Sequence, residues 1–543
     1  MSNGEQMNGN KSGGANAARS TGGKGRPGSR SHAGAGQGKG GQRGGQATAG
    51  RGRGGQSRGN TQGQGNSNAL RETAGPRAQG QPPRAGRAPR TPRELALDTL
   101  VKVAETGAYS NLQLNRALQD AQLQRADAAL ATELVYGTIQ RQLTLDHWLS
   151  KFAAKGLHKL EPWVHQLLRM SAYQLLYLDR IPAHAAVNEA VTIAKRRGHQ
   201  GISGMVNGIL RSIDRNRAEL TVSAINDKDP VARIALRHSY PEWLVQRWIE
   251  AYGAEAAEAI CAAGNEPPHA SLRINPLREV REEALRQLTE QGFDASASAI
   301  APAGIAVRRG GNLADTEGFR EGKWTVQDES SMLVAEVASP QPGMQVLDCC
   351  AAPGGKSTHL AELMEGKGKV WANDLHPHKA PLIEAQAERL GLSNIEVITG
   401  DAGALDERFK KSSMDVILLD APCSGFGVIR RKPEIKWTKT AGDVAEIAAI
   451  QRRLLRTAAH LVKPGGTLVY STCTIEKAEN EQQVTAFLSE HPEFELDAGW
   501  PEAVLRPLRQ AGAIDDSFKG QAQLLPQHFD SDGFYIARMR KRA

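Results

Sequence analysis

The chain has 543 residues, 68 Lys+Arg against 59 Asp+Glu, a formal net charge of +9 and five cysteines. No apolar stretch approaches the roughly 20 residues that a membrane span requires and no hydrophobic signal core follows Met1, so a cytoplasmic protein with no membrane contact is expected. Five cysteines are too few for a disulfide framework at this length, and no CxxC or Cys/His spacing suggests zinc, so no metal is expected.

Residues 1–91 stand apart. They hold 25 of the 57 glycines and 15 Lys+Arg against Glu5 and Glu72, and contain no Phe, Trp or Tyr. Such a composition cannot bury a core and reads as a disordered, basic Gly/Arg-rich tail. Its net +13 leaves −4 on the remaining 452 residues, so the folded part is not globally basic. Arg43-Gly44-Gly45 and Arg51-Gly52-Arg53-Gly54-Gly55 resemble segments that contact single-stranded nucleic acid through charge and stacking. A solvated, solubilising leader accounts for the same composition equally well.

About 450 further residues suggest roughly three domains at ordinary domain sizes. Residues 92–226 read as helical, with Leu95, Leu97, Leu100, Val101 and Val103 largely on one side and a similar pattern from Ala185 to Ala194. The closing stretch sets Arg211 and Arg215 four apart on one helix face, after Lys195-Arg196-Arg197, a face suited either to phosphate or to solvent. Glu133-Leu134-Val135-Tyr136-Gly137, Ile181 to Val191 and Val206-Asn207-Gly208-Ile209-Leu210-Arg211 resemble a NusB-type domain. That resemblance implies an RNA-binding helical fold.

Residues 227–340 begin with helix-like sequence from Pro241 to Ala263. Leu272 to Asn275 then reads as a strand, Glu282 to Gln291 as a helix and Ile305 to Val307 as a strand before Gly310-Gly311. A small α+β module is expected, with Trp324 to Ser331 leading into a helix that enters the last block.

Residues 341–543 have the strand-loop-helix rhythm of a doubly wound sheet. Met344 to Leu347 is predicted as a strand ending at Asp348, followed by Cys349-Cys350-Ala351-Ala352-Pro353-Gly354-Gly355-Lys356-Ser357 and a helix from about Thr358. The two glycines let a bulky cofactor approach the backbone beside a helix N-terminus. A P-loop would need glycine at position 350, where this chain has cysteine, so a nucleoside triphosphate site is not expected. Val370 to Asn373 ends at Asp374, suited to ribose hydroxyls, and Ile395 to Thr399 leads to Asp401, suited to an adenine amino group. Any one of these acids can simply cap a helix or loop. Three acids following three successive strands around one Gly-rich loop suit an adenosyl-type pocket better.

Val416 to Leu419 is predicted as a fourth strand ending at Asp420, and Thr467 to Tyr470 as a fifth ending in the Ser471 to Thr474 turn. In a parallel sheet these ends meet at one edge, bringing Asp420, Cys423 and Cys473 together beside the cofactor. A cysteine taken alone packs as a small hydrophobe. Two cysteines so placed suit covalent catalysis, because carbon 5 of a pyrimidine becomes nucleophilic only after a thiolate adds at carbon 6. An ordinary thiol, with a pKa of roughly 8.5, needs a nearby positive group or dipole to act so at neutral pH.

Asp348 to Ser357, Gly400-Asp401-Ala402, Asp420 to Gly425 and Ser471 to Thr474 resemble the RNA cytosine-5 methyltransferase family, with Cys349 in place of the usual aliphatic residue and Ser357 in place of a common threonine. The resemblance covers essentially everything after the tail. It implies a multidomain architecture: the tail, an all-α NusB-like domain, the α+β module and an α/β Rossmann-type methyltransferase domain. It also implies S-adenosylmethionine as cofactor, held by Cys350, Ala351, Ala352, Pro353, Gly354, Gly355 and Lys356, with Asp374 at the ribose, Asp401 at the adenine and Asp420 between cofactor and base. Cys473 matches the family nucleophile, and Cys423 the cysteine that assists breakdown of the covalent adduct. Arg430, Arg431 and Lys432 suit the RNA backbone or an exposed basic loop. The implied partner is 16S rRNA, with one cytosine methylated, no DNA target, and a monomeric protein. The same chemistry on transfer RNA or another ribosomal site remains open on the motifs, as does a non-catalytic assembly or antitermination factor, which the intact cysteine pair disfavours.

Overall fold

The structure, a computed structural model, describes residues 91–543; the tail, up to residue 90, lies outside the described residues. The first element already shows how sequence sets local structure. Thr91 caps the helix Pro92–Thr106 through a reciprocal box with Glu94, proline occupies the first turn, and Gly107 at φ +63° ends it. Six more helices follow: Ser110–Ala121, Arg125–Gln140, Gln142–Ser150, Pro162–Tyr177, Ala183–Arg197 and Gln200–Arg215. Leu95, Leu97 and Leu100 pack with Leu134, Leu167 and Leu168 in their common core, while Val101 is only partly buried. Arg211 and Arg215 are both exposed. Arg196 and Arg197, in contrast, are paired with Glu94 and Asp98 at 3.1 and 2.6 Å.

The expected helix from Pro241 to Ala263 is two helices, Glu242–Tyr252 and Ala254–Ala263, because Gly253 adopts φ +84° between them. A four-stranded antiparallel sheet follows: β1 (Ala270–Ile274), β2 (Asp294–Ala297), β3 (Gly304–Arg309) and β4 (Trp324–Val326), in the order β2-β3-β1-β4, with the helix Arg281–Glu290 inserted after β1. Trp324 to Val326, anticipated only as a lead-in to a helix, is therefore an edge strand paired with β1.

The large sheet contains β5 (Gln345–Asp348), β6 (Lys369–Asp374), β7 (Ile395–Thr399), β8 (Met414–Asp420), β9 (Val462–Thr472), β10 (Phe494–Leu496), β11 (Gln521–Leu524) and β12 (Phe534–Lys541). Its order is β10-β12-β9-β8-β5-β6-β7, with β11 also on β12. Strands β5 to β9 run parallel, and β12 joins β9 antiparallel. Burial on both faces explains their apolar runs. Val346, Val416, Leu418 and Val469 face one core with Met332 and Leu333 of the helix Glu329–Ala338, while Leu347, Ile417, Leu419 and Leu468 face the other. The helix Ala441–Leu461, capped by a Thr440–Asp443 box, lends Leu454 and Leu455 to that second core. Strand order reverses between β5 and β8, the position at which ligands bind above the carboxyl ends of an open sheet.

Two buried cations join the modules. Arg273 of β1 makes a bidentate pair with Glu362, at 2.9 and 2.7 Å, and donates to the Gly355 carbonyl and the Thr358 hydroxyl. It thereby fixes the first turn of the helix Gly355–Leu363. Lys436 donates to the Gln140 and Ser239 carbonyls and to Asn265 Oδ1, linking the helical domain, the following segment and the large-sheet domain. Among the described residues no helix is long and apolar enough to cross a membrane, and no group of His, Cys, Asp or Glu is arranged to hold a metal.

Candidate active site

Adjacent parallel strands place the two sulfurs. Asp420, the last residue of β8, pairs in register with Ser471 of β9, and Ser471 Oγ donates to Asp420 Oδ1 at 2.8 Å. Three residues beyond Asp420 comes Cys423, and two beyond Ser471 comes Cys473. Their Sγ atoms lie 3.3 Å apart.

The two loops are joined beneath this pair. Ser424 Oγ and Thr474 Oγ1 are 2.8 Å apart, the Gly427 N–H donates to the Cys473 carbonyl at 3.0 Å, and the Gly533 N–H donates to the Gly427 carbonyl. A Cβ on Gly427 would lie 1.9 Å from the Gly533 carbonyl oxygen, so only glycine fits this crossing without displacing the Cys473 turn. Glu479 accepts from the Ser424 N–H at 2.8 Å and from Gln451, which also donates to the Pro422 carbonyl. Asn480 accepts from the Thr472 hydroxyl and donates to the Thr474 carbonyl.

The pair is electrically asymmetric. The hydrogen bond from Cys423 holds the Cys473 thiol below its ordinary range, against burial and the Asp420 charge, with help from Lys356 and Lys432. Cys423 is driven far up by the same hydrogen bond and by burial. The contact therefore favours Cys423 as the donor and makes Cys473 the more acidic thiol of the two. A thiolate beside a proton-bearing partner is chemically equipped for nucleophilic attack. The other cysteines are not: burial pushes Cys261, Cys349 and Cys350 up.

Lys356 stands 2.8 Å from Asp420 Oδ2 and 5.2 Å from the Phe534 ring centre. Burial works against its charge, but Asp420 more than offsets this and the ammonium is held above its usual range. Gly355 and Lys356 are in the first helical turn, so the helix begins at Gly355 and not near Thr358 as expected. Gly354 caps it at φ +105°, and a Cβ there would sit 3.2 Å from Ile383 Cα. Asp348 is fully buried, accepts from Ser357 Oγ and the Cys350 N–H, and is pushed up to about 7 by that burial. Ala351 lies buried, Ala352 half-buried and Pro353 exposed along the loop between Asp348 and Gly354.

Asp374 ends β6, accepts from the His376 N–H at 3.0 Å and pairs with Lys379 at 3.3 Å. Beside it Leu375 is 58% exposed, and the buried Asn373 Oδ1 has no hydrogen-bond partner. Asp401 lies beyond β7, where Arg453 at 2.8 Å and the Gly403 N–H draw its carboxyl below the usual range. The basic run after the Cys423 loop is largely committed to protein. Arg430 binds Asp530, Arg431 binds Asp328 and Asp532, and Lys432 has no carboxylate partner among the described residues. Sequence reasoning missed Arg273, Gln451, Glu479, Asn480 and Gly427; all lie far along the chain from the cysteines they support or outside any spacing rule.

Sequence models of three families match the chain: 16S rRNA methyltransferase RsmB/F over residues 335–540, the NusB family over residues 90–215, and an RsmF/B-like ferredoxin-like domain over residues 240–314. The chain is 48% identical over 454 residues to a probable ribosomal RNA small subunit methyltransferase B of Bacillus subtilis (strain 168), covering 83% of this chain and 98% of that protein. It is 38% identical over 450 residues to the protein of the same description from Synechocystis sp., covering 83% and 99%. The solved structure of PH0851 superposes with a TM-score of 0.69 at 28% identity, covering 83% of this chain and 99% of that one.

Proposed function

Because this chain belongs to the ribosomal RNA small subunit methyltransferase B family, we propose that it methylates carbon 5 of one cytosine in 16S rRNA through a covalent bond to Cys473. The observation that carries this reading is the sulfur pair: 3.3 Å apart and hydrogen-bonded, just beyond the paired ends of β8 and β9, beside the reversal point of the sheet. S-adenosylmethionine supplies the electrophilic methyl group when bound. The fit of that cofactor is supported by the Gly354 cradle, the Asp374 carboxylate for ribose hydroxyls, the exposed Leu375 as an apolar surface beside it, and the unpartnered Asn373 Oδ1.

The target base must leave its stack to reach the sulfurs. Asp420, held by Ser471 and Lys356, meets its Watson-Crick edge and accepts from the exocyclic amine. The Cys473 thiolate adds at carbon 6, and the displaced electron pair makes carbon 5 the nucleophile. Once Cys473 is bonded to carbon its charge is gone, and with it the main cause holding the proton on Cys423. Cys423 gives up its proton to solvent; once carbon 5 has bonded the methyl group, the Cys423 thiolate takes the carbon 5 proton, the carbon 5–carbon 6 double bond re-forms, and the Cys473 thiolate leaves. Asp401, engaged with Arg453, is assigned to the outer adenine edge.

The test is adduct trapping. Cys423→Ala incubated with unmodified 16S rRNA and S-adenosylmethionine should give a protein–RNA species stable on a denaturing gel, which Cys473→Ala should not form. Normal turnover by Cys423→Ala would remove its proposed role.

A further inference from the structure

A second cavity, of about 620 Å³, opens between the helical domain and the segment that follows the Cys423 loop. Its volume suits a nucleotide-sized ligand. Tyr173 and Tyr177 of one helix form a stacked pair on its wall, centroids 5.3 Å apart at 19°. The Arg141 guanidinium lies 5.3 Å from the Tyr177 ring centre, and Lys432 lies across the opening beside Tyr109 at 5.3 Å. Neither cation has a carboxylate partner among the described residues. Of the two wall carboxylates, Glu133 is engaged by the Tyr173 hydroxyl at 2.5 Å and Glu266 is exposed to solvent.

Aromatic rings beside cations that have no carboxylate partner among the described residues match an unstacked base and its phosphate. The location ties the cavity to the reaction. Seven to nine residues after Cys423 the chain supplies Arg430, Arg431 and Lys432 to this wall, which joins it directly to the loop that carries the sulfur pair. We propose that this cavity receives a nucleotide of the RNA substrate other than the one methylated, its base against Tyr173 and Tyr177 and its phosphate between Arg141 and Lys432. The assignment rests on the RNA-methyltransferase reading above and adds a second anchoring point. An RNA segment held there and at the cysteines is fixed at two places, which selects one register of the strand.

The test uses the full chain carrying Cys473→Ala, so that binding is read without chemistry, and an unmodified 16S rRNA transcript titrated across a salt series. Arg141→Gln should weaken binding about tenfold and reduce the salt slope by about one, as loss of a phosphate contact does. Tyr177→Ala should weaken binding about tenfold with little change in slope, and Tyr177→Phe should restore it, because stacking needs the ring and not the hydroxyl. Thermal melts of each variant establish that the fold persists. Parent-like affinity and slope in both Arg141→Gln and Tyr177→Ala overturn the proposal, even where the otherwise wild-type enzyme methylates normally. Weakened binding in both, in a protein whose wild-type form leaves 16S rRNA unmethylated, upholds the cavity and removes the proposed reaction instead.

Discussion

At the scale of single residues, a nucleophile that must exist as thiolate in a buried site needs something to replace lost hydration. For the proposed nucleophile Cys473 that contact would be the hydrogen bond from Cys423, which lowers the Cys473 thiol as it raises that of Cys423. The sign follows. Because the Cys473 value is lowered, its thiolate persists to lower pH than in a free cysteine, and its reactivity falls as pH drops through that lowered value. Alkylation by iodoacetamide, mapped by mass across a pH series, should therefore select Cys473 over Cys261, Cys349 and Cys350, whose thiols burial keeps protonated. Cys423→Ala removes the largest stabilising contact and should move the Cys473 midpoint to higher pH. An unmoved midpoint would show that Lys356 and Lys432 alone sustain the thiolate.

At the scale of elements, the turns hold the chemistry. Gly354→Ala must adopt φ +105° with its Cβ against Ile383, which costs on the order of 1–3 kcal/mol of backbone strain. The expected outcome is a lowered melting temperature together with weaker S-adenosylmethionine binding by calorimetry; unchanged affinity would mean that the loop does not touch the cofactor. Gly427→Ala should lower turnover more than it lowers cofactor affinity, since its Cβ meets Gly533 and the Cys473 carbonyl and not the 349–357 loop. Equal losses in both would contradict that separation. Much of this frame was legible in the chain. Strands β5 to β8 are apolar runs closed by an acid or a turn, and burial on both faces makes such runs continuous. β2 was missed because Asp294–Ala297 is mostly exposed and polar, and β4 because three residues carry no periodicity. The antiparallel β10, β11 and β12 were not anticipated: β12 pairs with β9, a long-range contact that no local pattern announces, and β10 and β11 pair only with β12. The cysteines could be read from their strand ends; the Gln451–Glu479 and Asn480 contacts beneath them could not, because tertiary packing alone brings these residues there.

At the scale of the whole molecule, the modules are joined by two buried basic side chains, Arg273 paired with Glu362 and Lys436 donating to neutral oxygens. Arg273→Met leaves Glu362 charged and unpaired in the interior and should cost about 3–5 kcal/mol in denaturant unfolding. Adding Glu362→Leu should recover most of that loss, and a double variant as unstable as the single would show that the Gly355 and Thr358 contacts dominate instead. The tail works at longer range. If its net +13 against −4 for the remainder serves RNA contact, removing residues 1–91 should weaken RNA binding and flatten its salt dependence without abolishing methylation. An unchanged salt slope would make the tail a solubilising leader. The central claim, one cytosine methylated at carbon 5 through Cys473, is tested most directly by bisulfite sequencing of unmodified 16S rRNA after incubation with the purified protein and S-adenosylmethionine, beside Cys473→Ala. The account predicts a single protected cytosine that disappears in the variant. No protected cytosine despite RNA binding, or a protected cytosine that survives Cys473→Ala, would contradict it.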